Sequence, residues 1–327
     1  MKKAFFAATA LVASAGTLSA QNVTSSNADI TLGGYARFGV LHDGNGAEDG
    51  GGTTDITSRW RLQIDASTQT DAGATLGARV RFQVDGNDGT DDINQAEELN
   101  AARFFARMGG LEIGIGNIEG ALESMPGQYT IDLGLTGHEE DYTVYNGRGD
   151  AYSSGGAGAS TSNGVEVIYG IGDFGAHLSA SDTNDRIALM GFYEFGNFVF
   201  AAGIQDSDDD FDTEWTIAVE GTVGLFDFGV AYASNGDEGF GTDVNGNGVI
   251  DGAENLGGDH WSIMARFDVG AGTNVEAYVA DADYFESVGY GIDFNHDLGG
   301  GASLRGGVSD GGSNDDIIAD FGVRFNF

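Results

Sequence analysis

The sequence predicts an all-β fold, a 16-stranded antiparallel transmembrane β-barrel with a long constriction loop folded into its lumen. Apolar and polar residues alternate with a period of two in sixteen stretches, which is the pattern of strands with one apolar and one polar face. Short glycine-rich turns alternate with longer polar links, an arrangement typical of outer-membrane barrels. No stretch after residue 20 approaches the ~20 apolar residues of a membrane-spanning helix.

The strand patterns can be followed in order along the chain. From Ile30 to Phe38 every second residue is apolar or small, and Arg37 lies on the opposite face. The later apolar faces are Trp60/Leu62/Ile64/Ala66, Leu76/Ala78/Val80/Phe82/Val84, Ala102/Phe104/Ala106, Leu111/Ile113/Ile115, Val165/Val167/Tyr169/Ile171, Ala176/Leu178/Ala180, Ile187/Leu189/Tyr193/Phe195, Phe198/Phe200/Ala202/Ile204, Trp215/Ile217/Val219, Phe226/Phe228/Val230/Tyr232, Trp261/Ile263/Ala265/Phe267, Val275/Ala277/Val279, Val288/Tyr290/Ile292/Phe294, Ala302/Leu304/Val308 and Ile317/Ala319/Phe321/Val323/Phe325/Phe327.

A soluble β-sandwich or β-solenoid also alternates apolar and polar residues. The apolar faces here carry almost no Thr, Lys or Glu, which a water-facing strand would need. Aromatic residues also lie near strand ends, where a membrane-interface girdle would place them. They are Phe195, Phe198, Trp215, Phe226, Trp261 and Phe327. These two features favour the membrane barrel.

The first twenty residues predict a cleaved secretory signal peptide. Lys2 and Lys3 precede the apolar run from Ala4 to Val12, and cleavage after Ala20 leaves a barrel domain of residues 21–327. The 327-residue chain has no cysteine and a net charge of −37. It therefore relies on no disulfide. Its excess of acidic residues excludes a nucleic-acid partner, because binding nucleic acid requires a positively charged protein surface.

Residues 117–163 interrupt the strand pattern and contain Pro126, the single proline of the chain. A loop of this length inside a compact β-protein is usually functional or disordered. We expect it to fold into the barrel and narrow it. Its acidic residues Glu119, Glu123, Asp132, Glu139, Glu140 and Asp141 would then face the lumen.

Seven of the twelve arginines lie on the polar face of the first four strands. Since neighbouring strands are under ~5 Å apart, they form one positive wall, made of Arg37, Arg59, Arg61, Arg79, Arg81, Arg103 and Arg107. Opposed to the loop acids, this wall predicts a slot that selects solutes by size and charge. Alternatively, these arginines pair with Asp65, Asp85 and Glu112, and both arrangements can hold together.

Residues 243–254 fit the pattern of an EF-hand calcium loop. Side-chain oxygens come from Asp243, Asn245 and Asn247, and Val249 offers its carbonyl. Asp251 acts directly or through water, and Glu254 would be bidentate. Strands flank the segment, so we expect an isolated structural Ca²⁺ loop outside the barrel. The competing interpretation is an Asn/Gly-rich turn without a metal.

The chain resembles the Gram-negative general porins, most closely the 16-stranded alphaproteobacterial branch. The resemblance is carried by the alanine-rich signal, the opening strand 30–40, Gly114-Ile115-Gly116-Asn117 leading to Glu119-Gly120-Ala121, and the strand ending at Phe327. It implies a homotrimer in the outer membrane, among lipid and lipopolysaccharide, and passive diffusion of small hydrophilic solutes and ions. The chain departs from the enterobacterial loop tip, with Met125-Pro126-Gly127 instead.

Two other functions compete with a general diffusion pore. A barrel enzyme needs a Ser–His or carboxylate–His constellation, and His42, His138, His177, His260 and His296 are scattered without a nucleophile motif. A substrate-specific channel would favour a track of aromatic residues along the lumen. Tyr35 and Tyr278 are expected to face inward, but they lie on strands far apart in the chain and form no track. The arginine wall favours anions, whereas the net negative charge of the chain favours cations. Because all nearby charges set the potential at the mouth of a pore, we expect weak cation selectivity.

Overall fold

The computed structural model describes residues 28–44, 53–86, 100–138, 140–145, 152, 163–183, 185–207, 213–236, 257–313 and 316–327. The strands are β1 (Ala28–Asp43), β2 (Thr53–Gln69), β3 (Thr75–Gly86), β4 (Arg103–Met108), β5 (Leu111–Asn117), β6 (Asn163–Ile171), β7 (Phe174–Ser181), β8 (Ile187–Phe195), β9 (Phe198–Asp206), β10 (Glu214–Val223), β11 (Phe226–Ser234), β12 (Asp259–Gly270), β13 (Thr273–Ala282), β14 (Ser287–Gly299), β15 (Ala302–Gly312) and β16 (Ile318–Asn326). No helix in these ranges is long and apolar enough to cross a membrane.

The sixteen strands form one closed barrel in which each strand pairs with its neighbours in the sequence. Every pairing is antiparallel. β1 closes on β16 with Tyr35 opposite Asn326, and Gly34 and Phe327 add two backbone hydrogen bonds of 3.0 Å each. Closure leaves no unpaired strand edge, which is what a hydrocarbon environment demands. The predicted fold class and strand number are therefore confirmed.

The two faces of the strands differ in chemistry. On β8 the outward side chains of Leu189 and Tyr193 are 49% and 48% exposed, although both are large and apolar or aromatic. The inward Met190 and Phe192 are only 5% and 7% exposed. An exposed apolar exterior is the surface that a barrel presents to lipid. The inner face is buried, so another part of the chain must cover it from inside the barrel.

The covering element is the link between β5 and β6, whose described residues 118–138, 140–145 and 152 lie inside the barrel. Ile118, Leu122 and Leu133 are completely buried. The first of two apolar clusters joins Ala121, Leu122, Met125, Val144 and Tyr145 to inner residues of β8 to β11. The second joins Ile131, Leu133 and Tyr142 to Met264, Tyr278 and Ala280. The buried apolar side chains thus pack between the loop and the inner wall.

Glycines on the inner wall make room for this loop. A Cβ at Gly203 would lie 2.4 Å from Leu122 Cδ2, and one at Gly291 would lie 2.8 Å from Leu133 Cδ2. Gly39 and Gly322, paired across the β1–β16 seam, are equally close to Leu135. Part of the high glycine content therefore serves close approach of loop and wall rather than turns.

We expect Gly203→Val to push the loop away from β9 and into the lumen. Overpacking of this kind costs about 1–3 kcal/mol, so single-channel conductance should fall and thermal stability should drop. Gly191→Val is the matched control, because Gly191 faces outward on the adjacent β8 and its nearest neighbouring atom would lie 3.7 Å away. Equal effects of the two substitutions would contradict this role for Gly203.

Candidate functional site

The predicted arginines lie together on the inner wall of β1 to β4. Arg37 is opposite Arg59, Arg61 is opposite Tyr35 and Gln83, and Arg79 is opposite Arg103. Directly opposed residues on adjacent strands have Cβ atoms about 5 Å apart. The strand register alone therefore brings these positive charges to one side of the lumen.

Several of these arginines pair with carboxylates of their own wall, as the alternative interpretation proposed. Arg79 Nε lies 2.7 Å from Asp65 Oδ1, Arg59 pairs with Asp85, and Glu112 accepts from both Arg103 and Arg107.

Arg61 differs from its neighbours. Its Nε donates to Gln83 Oε1 at 2.5 Å, and its guanidinium lies 5.2 Å from the ring centre of Tyr35. Among the described residues it forms no ion pair. Its charge is therefore compensated less than those of Arg59 and Arg79, which pair with Asp85 and Asp65.

Three of the predicted loop acids carry raised pKa values. Burial, followed by the nearby carboxylate of Glu166, raises the pKa of Glu119, while Arg81 and Arg79 act in the opposite direction. Burial raises the pKa of Glu123 to about 7, despite hydrogen bonds from Tyr145 and Tyr129 that favour its ionised form.

Glu140 lies further along the same loop. Although Glu140 is exposed, partial desolvation inside the barrel raises its pKa, and Asp132 adds to that rise while Arg59 opposes it. The structure thus couples Glu119 and Glu140 electrostatically to the arginine wall. Glu139 lies outside the described residues.

The other two loop acids contact different strands. Asp132 Oδ2 accepts hydrogen bonds of 2.7 Å from both Arg305 and Arg324. Burial opposes ionisation of Asp132, but these two arginines outweigh it and hold its pKa below the usual value. Asp141 accepts a 2.7 Å hydrogen bond from Ser313 Oγ, and its carbonyl lies 2.9 Å from His260 Nε2.

Wall carboxylates hold the loop by its backbone, a feature that sequence reasoning missed. Glu276 accepts from the N–H of Asp132 at 3.0 Å, and Asp293 accepts from the N–H of Gly134 at 2.7 Å. Arg37 completes this attachment by donating to the Leu135 carbonyl at 2.7 Å.

Asp320 of β16 makes the densest contact with the loop. It accepts from the N–H groups of Leu135 at 2.9 Å and Thr136 at 2.7 Å, and from Thr136 Oγ1 at 2.8 Å. His138 Nε2 lies 3.3 Å from the same carboxylate. Charged hydrogen bonds of this kind are stronger than neutral ones, so the loop position is firmly set here.

A serine, a histidine and a glutamate are aligned where the loop leaves β5. Ser124 Oγ lies 3.1 Å from His177 Nδ1, and His177 Nε2 lies 3.2 Å from Glu166 Oε2. Glu166 also pairs with Arg103, and the Ser124 hydroxyl donates to the Gly120 carbonyl at 2.6 Å. His177 and Glu166 are almost completely buried. The alignment therefore fastens the loop to β6 and β7.

The predicted calcium ligands Asp243, Asn245, Asn247, Val249, Asp251 and Glu254 lie outside the described residues. Within the described ranges, no group of three or more His, Cys, Asp or Glu side chains is placed to hold a metal ion.

The apolar residues on the inner face of β8 can be recognised in the sequence itself. Residues 187–193 of β8 read Ile-Ala-Leu-Met-Gly-Phe-Tyr, so both faces of the strand are apolar or small. A strand with two apolar faces needs both of them kept from water. Here the outer face lies on the lipid-facing exterior and the loop covers the inner face.

These observations define a class of protein. The barrel has an apolar, exposed exterior, a lumen lined by charged side chains and an inward loop that narrows it. This is a membrane channel of the porin type.

Comparison with known proteins identifies the family. A family model described as Gram-negative porin matches residues 7–316. A porin of Fuscovulum blasticum is 30% identical over 311 residues, spanning 91% of this chain and all of the relative. A porin of Rhodobacter capsulatus is 28% identical over 325 residues, with the same coverage. The chain belongs to the Gram-negative porin family.

Solved structures agree with the family assignment. A variant of the Rh. blastica porin superposes with a TM-score of 0.75 at 26% identity, over 91% of this chain and all of that chain. A triple mutant of the Rhodopseudomonas blastica porin gives 0.72 at 25% identity. The protein is thus an outer-membrane channel for solutes and ions and not an enzyme.

Asp320→Asn should loosen the loop. The amide places a donor where Oδ2 now accepts hydrogen bonds from Leu135 and Thr136, and breaking a buried charged contact costs about 3 kcal/mol. We expect lower thermal stability and increased open-channel current noise. Asp297→Asn serves as the control, since Asp297 accepts only an exposed hydrogen bond from Gly299. An Asp320→Asn channel as quiet and stable as the control would refute the anchoring role.

Proposed function

We propose that the channel selects small hydrophilic solutes by size and charge in a slot between the arginine wall and the loop acids Glu119, Glu123 and Glu140. The observation that supports this most strongly is the opposite charge of the two sides of the slot, the arginine wall and the loop. On one side Arg61 forms no ion pair among the described residues. On the other side the loop carries the carboxyl groups of Glu119, Glu123 and Glu140, each with a raised pKa. Opposed charges of this kind produce a transverse field that acts on the charge and dipole of a passing solute.

Fewer residues form the slot than the sequence suggested. Asp132 is held by Arg305 and Arg324, and Asp141 by Ser313. Both contribute to fixing the loop. We therefore assign selection to Arg61, Arg59 and Arg81 on the wall and to Glu119, Glu123 and Glu140 on the loop.

We further propose weak cation selectivity at neutral pH, since the acidic balance of the chain adds to the potential at the mouths of the pore. Because the pKa of Glu123 is raised to about 7, this carboxyl is mostly ionised at pH 8 and mostly protonated at pH 6. Cation preference should therefore fall as the pH is lowered through about 7.

Reversal potentials in a salt gradient test the slot. Arg61→Gln removes a positive charge and should shift the reversal potential towards that of a cation-selective pore, whereas Glu123→Gln should shift it the other way and abolish the pH step. Arg266→Gln is the control for each, because Arg266 lies near the short turn after β12 and is 41% exposed. If Arg61→Gln and Arg266→Gln shift the potential equally, overall charge controls selectivity and the slot does not.

We propose, from family membership, that the protein assembles as a homotrimer among outer-membrane lipid and lipopolysaccharide, and that residues 1–20 are a signal peptide removed on export. The exposed apolar side chains of β4 and β5, such as Phe104 and Ile113, provide a surface for lipid or for a neighbouring copy. The recordings described above also report assembly, since a trimer closes in three equal conductance steps.

We also propose that residues 243–254 bind Ca²⁺ and stabilise an outer loop, supported by the fit of this segment to the EF-hand pattern. Calcium at ten times its dissociation constant should stabilise the folded barrel by about 1.4 kcal/mol. Glu254→Gln removes the bidentate ligand and should abolish this gain in thermal unfolding with and without chelator. Glu286→Gln, an exposed acid outside the pattern, should retain it. Calcium stabilisation that survives Glu254→Gln would rule this site out.

A further inference from the structure

A cavity of about 450 Å³ lies beneath the loop. Gly73 and Gly109–Gly110 of two short turns line one end of it, and Ser124 and Pro126 of the loop also contribute. Because short turns of outer-membrane barrels face the periplasm, the cavity belongs to the periplasmic side of the lumen. Its volume falls within the range of about 300–1,000 Å³ that small-ligand sites occupy.

The lining of the cavity changes from apolar to charged. Met190 and Phe192 are among its least exposed residues, at 5% and 7%. Pro126 and Ile168 add further apolar lining, with Ile168 opposite Glu112 in the strand register. Arg107 is its most accessible charge, with 43% of the side chain exposed. A cavity with a buried apolar end and one accessible charge suits an amphipathic solute.

The apolar end is built to keep its shape. Phe192 lies opposite Gly175 on the adjacent strand, and a Cβ at Gly175 would lie 2.2 Å from the Phe192 ring. The glycine therefore lets the ring lie flat against the wall. Met190 and Phe192 also pack with Leu122 and Met125 of the loop. A flat aromatic surface held from two sides is pre-organised for an apolar group.

The charged end favours an anion. Arg107 Nε pairs with Glu112, and its guanidinium lies 4.3 Å from the ring centre of Phe105. Within the described part of the chain, its two terminal nitrogens have no hydrogen-bond partner. Glu112 is only 12% exposed and is shared with Arg103, and Glu166 is fully buried. The charge that a solute can reach is therefore positive, and a planar guanidinium matches a carboxylate.

We propose that this cavity is a binding subsite for small amphipathic carboxylates, with the apolar group against Ile168, Met190 and Phe192 and the carboxylate on Arg107. The subsite lies apart from the charge-selective slot and does not require it. A solute held here obstructs the periplasmic half of the pore, so binding appears as a saturable reduction of the ion current.

Single-channel conductance of the full-length protein measures this binding with sodium phenylacetate as the probe. Phenylacetate replaces chloride at constant ionic strength and should reduce the current with a half-saturating concentration in the roughly millimolar range. Acetate lacks the apolar group and benzylamine reverses the charge, so neither should produce a saturable block. The block should be stronger from one face of the bilayer than from the other.

Two substitutions and one control locate the site. Arg107→Gln and Ile168→Thr should each raise the half-saturating concentration by roughly fivefold, since each removes one exposed charge contact or one apolar contact. Glu112 keeps Arg103 as its partner in Arg107→Gln, and Ile168→Thr keeps the β-branched shape at a position that is only half-buried, so circular dichroism should report a folded barrel for both. Arg266→Gln, a similarly exposed arginine outside the cavity, should leave the value unchanged. Equal block by acetate or benzylamine, or an equal effect of Arg266→Gln, would overturn the proposal.

Discussion

Backbone amides and carbonyls inside a bilayer find no water, so every one of them needs a partner within the protein. The pairing of β1 with β16 meets this requirement for the sixteen described strands, because it removes the last two strand edges. Closure also divides each strand into a face for lipid and a face for the lumen. The arginine wall, the wall carboxylates and the space that the loop occupies all follow from that division.

Once the barrel is closed, its apolar exterior is committed to lipid and supplies no protein core. The core lies inside instead, between the loop and the inner wall. Leu122 and Leu133 provide its apolar contacts, and Asp293 and Asp320 hold the backbone directly after Leu133, at Gly134 and Leu135, by hydrogen bonds. Packing and charge thus fix the same segment, which is why a loop without regular secondary structure can have a defined position in the pore.

The strand number and the inward direction of the arginines were predictable, because a period of two is a strong signal over sixteen repeats. The placement of Asp132 and Asp141 was not. An acidic residue in a loop has no period that fixes its direction, and its partners Arg305, Arg324 and Ser313 lie more than 170 residues away in the chain. Glu276, Asp293 and Asp320 were visible as polar-face residues, but nothing local indicates that they accept from loop backbone.

The glycines of the inner wall have a consequence for how such channels diverge. Leu122 fits against Gly203, and Leu133 against Gly291, with too little room for even one added carbon atom. The bore of the pore is therefore encoded by pairs of positions far apart in the chain rather than by the loop alone. A lineage that acquires a bulkier wall residue has to shorten the loop side chain facing it. Changes in permeability should accordingly require paired substitutions, one in the loop and one in the wall. Lipid-facing residues should change independently of one another.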